Sequence, residues 1–448
     1  QRGQRDHGGA VLVVVEHGDV EAGLQPLLDL EALGRLDVLE VDAAEGGRDA
    51  LDEVDHLVGG AGVDAHREAV DAAELLEEHR LALHHRHGGL WPDVAEAAML
   101  SAFRDAALHV DDKWEAVFRM RDAVTAAIIG RIGGQREEYT FAGSTHELLV
   151  RFLSSLDLSR RRHIVTTSGE FHSAHRQLRR LAEEGIDVTW VDPEPLASLP
   201  ERLSAALRDD TAALIVSTVL FETAAVVPQL ARVTAAAQAR GAAVLYDAYH
   251  AFTTVPFRIA DLGPEPIFLV AGGYKYAQWG EGVCFLRVPP QTTLRPLYTG
   301  WFAAFSALAD RRTDGAVFYP EESGARFAGS TFDPVSLYRA RAVCSFFDVQ
   351  GLTVPALRRL SLSQTDQLID RLSSIPSLDV VTPRPAALRG GFVAVRTPHA
   401  SRLVEALREE GIYTDARGDC LRLGPAPYVT VDEIDVAVDI LRRRLAHL

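Results

Sequence analysis

Six short runs, His163–Thr167, Asp187–Val191, Ala212–Ser217, Ala242–Tyr246, Ile267–Ala271 and Gly282–Val288, follow one another along the chain, most of them dominated by Val, Leu, Ile and Ala. Between them, Leu178–Glu184, Leu199–Leu207 and Leu230–Arg240 carry apolar residues at helical spacing. Helices are also predicted over Val94–Leu108, opened by Pro92, and over Trp114–Ile132. Apolar strands alternating with helices require a mostly parallel sheet covered on both faces, because parallel neighbours are joined by crossovers that lie over the sheet. Such a sheet receives ligands at the carboxyl ends of its strands. The chemistry is sought there.

The 448 residues suffice for two or three domains, and 47% hydrophobic with 24% charged residues is the composition of an ordinary soluble protein. No apolar stretch approaches the roughly 20 residues that span a bilayer. A net charge of −17 disfavours nucleic acid and anionic membranes as partners and points to small-molecule chemistry. Cys284, Cys344 and Cys420 are too widely spaced for a disulfide framework or a zinc site, so a reducing, cytoplasmic setting is expected.

Residues 1–88 differ from the rest. The stretch lacks Ser, Thr, Lys, Ile, Cys, Met and aromatic residues, yet holds half of the histidines and most of the net negative charge. It reads as an acidic, poorly ordered and dispensable extension. No cysteine or spaced carboxylate completes a ligand set with His79, His84, His85 and His87, so no metal is expected. The expected organisation is this extension, a large domain over 89–295 and a smaller domain over 296–448.

Only two lysines occur, and Lys275 follows an apolar run in Ala271-Gly272-Gly273-Tyr274-Lys275-Tyr276. Arginine serves charge pairing elsewhere, but it cannot readily lose a proton and attack a carbonyl, whereas a lysine amine can. Lys275 is thus either a Schiff-base nucleophile or a surface lysine at a strand end. Asp247 ends the run Ala242–Tyr246 and is either the partner of a cation, such as a protonated pyridine nitrogen, or a helix cap. The small-residue turn Gly143-Ser144-Thr145 before an amphipathic stretch is a natural phosphate seat.

Together, Ser217-Thr218-Val219-Leu220-Phe221-Glu222-Thr223, Asp247-Ala248-Tyr249-His250 and Gly273-Tyr274-Lys275-Tyr276 resemble the class V aminotransferase superfamily, the fold-type-I pyridoxal-phosphate enzymes. With Gly300-Trp301-Phe302, Ala325–Thr331 and Leu421-Arg422-Leu423-Gly424-Pro425, the chain from Trp91 onward most resembles kynureninases and their relatives. The resemblance implies an α/β fold with a mostly parallel sheet in a large domain and an α+β C-terminal domain. It implies pyridoxal 5'-phosphate as cofactor, an amino-acid substrate held through an external aldimine, and kynureninase-like side-chain cleavage, with transamination, β-elimination and a non-catalytic relative as alternatives. It also implies a homodimer with sites at the subunit interface. By position, Lys275 carries the cofactor and moves the α-proton, Asp247 pairs with the ring nitrogen, and His250 lies beside it. Gly143, Ser144, Thr145, Tyr274 and Trp301 take the phosphate, with Thr331 reaching it from the neighbouring subunit. Phe171 stacks on the ring, Ser173 and Ser217 stand close by, and Arg422 grips the substrate carboxylate.

Three departures mark the pocket. Phe171-His172-Ser173-Ala174 lacks the Asp that kynureninases place there, Ala303-Ala304 follows Trp301-Phe302 in place of Gly-His, and the chain has no Asn. The sequence thus predicts retained cofactor machinery beside a rebuilt substrate pocket. The cysteines read as small buried hydrophobes, which disfavours a desulfurase.

Overall fold

In the computed structural model, residues 81–82, 91–308 and 315–448 are described; apart from 81–82, the expected 1–88 extension and its histidine cluster lie outside them. Helices α1 (Val94–His109) and α2 (Lys113–Ile132) lead into strand β2 (Tyr139–Ala142) and helix α3 (Thr145–Ser154). Then follow β3 (His163–Thr167), α4 (His172–Glu183), β4 (Asp187–Val191), α5 (Leu199–Ala206), β5 (Thr211–Ser217), α6 (Leu230–Ala239), β6 (Ala243–Asp247), β7 (Phe268–Gly272) and β8 (Cys284–Arg287). The two-residue strand β1 (Leu81–Ala82) pairs in parallel with β11 (Ile412–Tyr413).

The strands from β2 to β8 form a seven-stranded sheet in the order β2-β8-β7-β6-β5-β3-β4. Neighbours from β7 through β6, β5 and β3 to β4 are parallel, whereas β8 and β2 join antiparallel at one edge. Alternation along each strand sends residues to opposite faces. Leu214, Val216, Val244, Tyr246 and Leu269 enter one core with α1, α2, α5 and α6, while Ala213, Ile215, Leu245, Phe268 and Val270 enter another with α3 and α4. Buried polar groups on these strands are paired: the Tyr246 hydroxyl lies 2.7 Å from Thr234 Oγ1, and the His163 ring lies between the hydroxyls of Thr211 and Thr189.

Two local readings differ from the sequence expectation. Thr140-Phe141-Ala142, expected only as the approach to a turn, is strand β2, because its pairing with β8 comes from far along the chain. Helix α4 begins six residues before Leu178, since its first turns bury only Ala174 and so show little apolar periodicity.

After α7 (Ser323–Arg326), helix α8 (Val335–Val349) packs into the first core through Leu337, Ala340, Val343 and Phe347. A separate core starts at Leu368 on α9 (Val354–Ser373), later than the expected boundary at 296. It joins α10 (Ala400–Glu409) and α11 (Val431–Leu445) to a four-stranded antiparallel sheet of β9 (Asp379–Val380), β10 (Val393–Arg396), β12 (Asp415–Arg417) and β13 (Cys420–Leu423). Among the described residues no helix is long and apolar enough to cross a membrane.

Arg287 on β8, 3% exposed, clamps the antiparallel edge of the large sheet. Its Nε donates to Glu138 at 2.8 Å, and its Nη1 donates to Glu265 at 2.8 Å and to the Ile267 carbonyl at 2.7 Å. Truncating one member of a buried ion pair strands the other. We therefore expect Arg287→Leu to lower unfolding free energy by about 3 kcal/mol and the Arg287→Leu/Glu138→Leu pair to recover part of it, measured by urea denaturation. Strict additivity of the two single changes would contradict the clamp.

Candidate active site

The carboxyl ends of β3, β5, β6 and β7 bring together Phe171, Ser217, Asp247, His250 and Lys275, whereas Gly143, Ser144 and Thr145 follow β2, Arg422 lies on β13, and Trp301 and Thr331 lie in segments outside the sheet. Gly272 and Gly273 bring β7 to its end with no room for side chains. An added Cβ on Gly272 would lie 2.6 Å from Cys284 Sγ and 2.7 Å from the Tyr249 ring, and one on Gly273 would lie 2.2 Å from Trp279. The close approach of Tyr249 and Trp279 fixes the turn that presents Tyr274 and Lys275. The backbone N–H of Tyr274 donates to the Tyr249 hydroxyl at 3.3 Å.

The half-buried Lys275 amine lies 2.5 Å from His250 Nε2, 5.4 Å from the centre of the Phe171 ring and 5.1 Å from that of Tyr249. Desolvation pulls its pKa down to about 7, helped by Arg422 and Arg417 and opposed by Asp247 and Asp415. His250 is buried, and burial together with Lys275, Arg422 and Arg417 holds it well below the usual imidazole range, so it is neutral at neutral pH. Asp247, at the end of β6, accepts the Tyr249 backbone N–H at 2.9 Å. Burial pushes its carboxyl up, while that hydrogen bond and the Lys275 charge act in the opposite direction.

Phe171 caps the N-terminus of α4 and meets Phe221 edge-on at 5.7 Å. Ser173 is half-buried in the first turn of that helix. Ser144 caps α3, its side chain accepting the Glu147 N–H at 3.2 Å, and Gly143 and Ser144 are exposed with Thr145 half-buried. A Cβ on Gly143 would meet no atom within 4 Å, so this helix start faces open space. Trp301 Nε1 donates to Thr331 Oγ1 at 3.2 Å, which joins these two expected phosphate ligands to each other within one chain. Ser217 is not free for a ligand; its hydroxyl and N–H both go to Glu170.

Arg422 on β13 is 1% exposed and held from two sides. Nε donates to Asp415 at 2.7 Å, Nη2 donates to the other Asp415 oxygen, and Nη1 donates to the Phe221 carbonyl. Phe392 lies 5.5 Å beneath the guanidinium. The sequence reading assigned no role to Glu170, Tyr249, Asp415, Arg417 or Phe392, although Tyr249, Asp415 and Arg417 lie within motifs that carry the resemblance. The spacing of Asp415, Arg417 and Arg422 on two short strands was the one available signal, since β12 and β13 pair Asp415 directly with Arg422.

This donor set fits pyridoxal phosphate. A lysine amine that can be neutral near pH 7, a carboxylate at the adjacent strand end, an aromatic ring over the amine and an open, capped helix start are the groups an aldehyde, a pyridine nitrogen, a ring face and a phosphate need. All three cysteines are buried, and burial pushes their thiols up, to about 11 for Cys344 and about 12 for Cys284 and Cys420. A reactive thiol needs the opposite environment.

In the protein free of cofactor, we expect amine-directed acylation of Lys275, followed by peptide mass mapping, to reach half its maximal rate near pH 7; a midpoint above 9 would contradict the desolvated environment. Gly273→Ala should cost about 1–3 kcal/mol by overpacking against Trp279 and reduce this labelling.

Comparison with known proteins agrees with the geometry. A family model described as the kynureninase C-terminal domain matches residues 357–441. The kynureninase of Pseudomonas fluorescens is 29% identical over 293 residues, covering 63% of this chain and 67% of that protein. The kynureninase of Deinococcus radiodurans is 28% identical over 327 residues, covering 71% and 76%. Among solved structures, a mutant of C-DES with glycine covalently linked to its PLP cofactor superposes with a TM-score of 0.70 at 18% identity, covering 82% of this chain and 97% of that one. The chain thus has the fold-type-I architecture of pyridoxal-phosphate enzymes and is similar in sequence to kynureninases.

Proposed function

We propose that this chain is a pyridoxal-phosphate enzyme that cleaves the side chain of an α-amino acid in the manner of a kynureninase. The observation that carries the reading is the lysine amine held between His250 and the Phe171 ring with its pKa lowered to about 7. Bound here, the cofactor supplies an aldehyde carbon and a ring that draws electrons from the substrate's α-carbon. Lys275 is the residue that would hold it. Near neutral pH this amine can take a proton at the α-carbon and return it, with neutral His250 within hydrogen-bond reach of it. Asp247 is the carboxylate that keeps a proton on a facing ring nitrogen, and Phe171 offers a flat face for stacking. Gly143, Ser144 and Thr145, with Tyr274, Trp301 and Thr331, are the groups for the phosphate.

Arg422 is the carboxylate anchor. Of its five N–H groups, two go to Asp415 and one to Phe221, which leaves one N–H on each of Nη1 and Nη2 for an incoming carboxylate. The exposed apolar residues Leu297, Tyr298, Trp301, Phe305 and Leu308 support pairing of two chains.

With L-kynurenine, the cofactor-loaded protein should release anthranilate, followed by its fluorescence. Amino transfer to 2-oxoglutarate without anthranilate would contradict the reading. Lys275→Ala should abolish turnover. Arg422→Lys should raise KM about tenfold or more with a smaller change in kcat, since it removes the planar fork used in capture.

A further inference from the structure

One buried ionisable group takes no part in the reading above. Glu170, at the end of the loop that follows β3, is 2% exposed. Its Oε1 lies 2.6 Å from Thr167 Oγ1 and accepts the Ser217 N–H at 3.1 Å, and its Oε2 lies 2.6 Å from Ser217 Oγ. Among the described residues it has no arginine, lysine or histidine hydrogen-bond or ion-pair partner. Ser217 pairs in register with Asp247 on the adjacent strand, so the two carboxyls flank one serine across neighbouring strands.

A buried carboxylate without a cation is costly, and two carboxyls in one low-dielectric site resist being ionised together. Hydroxyls can reverse their role: a Thr or Ser oxygen accepts from a carboxylic O–H as readily as its proton is donated to a carboxylate. Every side-chain partner of Glu170 is of this kind, whereas Asp247 has as neighbour the Lys275 amine, which is cationic below about pH 7. We propose that Glu170 is a positioning residue held as the neutral acid beside Asp247, so that the carboxyl pair carries one negative charge and that charge sits on Asp247. Burial, with Asp247 adding to it, raises Glu170 to about 7 in accord with this arrangement. The group thereby ties Ser217 and the base of Phe171 to the sheet while leaving the Asp247 charge undivided.

The charged and titratable surroundings are few. From β3 and β5 come uncharged Thr167 and Ser217; from β6 comes Asp247; behind Asp247 stand Lys275, neutral His250, and Arg422 and Arg417 with Asp415. The proposal rests on Asp247 as the charge-bearing carboxylate of the reading above, but its test needs no turnover, so the two can fail separately.

Between the ordinary carboxyl range and pH 7 native Glu170 keeps a proton that the unfolded chain loses, so its contribution to stability declines as pH rises through that window. Glu170→Gln keeps the shape and hydrogen bonds but cannot ionise. We expect the variant's Tm relative to wild type to improve between pH 5 and pH 8 by about 2 °C or more, with effects of Lys275 and other groups cancelling in the difference. A Glu170 ionised throughout this range predicts a constant gap, because folded and unfolded chains are then charged alike; a constant gap, or a variant that loses ground with rising pH, overturns the proposal. Should the variant not fold, infrared spectra of wild-type protein labelled with carboxyl-¹³C glutamate decide it. At pH 6 a protonated-carboxyl band that shifts with the label is expected, and its absence overturns the proposal.

Discussion

A lysine amine kept largely out of water, a few ångströms from a histidine and beside a carboxylate, is the constraint on which the rest of this structure turns. Desolvation makes the ammonium form expensive, and the nearby arginines add to that cost. The fold meets it by crowding. Two glycines bring β7 to its end where Tyr249 and Trp279 press against the backbone, and Lys275 follows the turn just beyond the strand whose Val270 is in register with Asp247 on β6. A parallel sheet makes such a meeting possible, because its strands all deliver their carboxyl ends to one side.

Charge is distributed around this point with little to spare. Asp415 neutralises Arg422 from one side while Arg417 stands nearby, and the Phe221 carbonyl holds the guanidinium from another. The large domain thus supplies amine, carboxylate and aromatic face, and the small domain supplies a buried, oriented cation. The contact from Arg422 to Phe221 spans the two, so the orientation of this guanidinium is set by packing between them.

Much of this was legible in the residues. The Val- and Leu-rich runs marked β3 to β8 to within a residue or two, because strands buried on both faces leave an unbroken apolar signature. The scarcity of lysine pointed to Lys275, and the apolar run ending in Asp247 pointed to its neighbour. Strand β2 was hidden because its partner β8 lies far away in the chain. Glu170 was hidden because a lone acid after a strand looks like a loop residue until Ser217 and Thr167 close over it. Asp415 was missed for the same reason, its meaning depending on register with Arg422. The departures from the kynureninase pattern at residues 171–174 and at Ala303-Ala304 lie at the start of α4 and in the aromatic-rich turn at Trp301–Ala307.

The central claim is a covalent bond between one particular amine and the cofactor's aldehyde. Borohydride reduction of the cofactor-loaded protein, followed by proteolysis and mass spectrometry, tests it most directly, since only two lysines compete. The account predicts that the peptide containing Lys275 carries the reduced pyridoxyl group and that Lys113 does not. Label on Lys113, or on neither lysine, would contradict it.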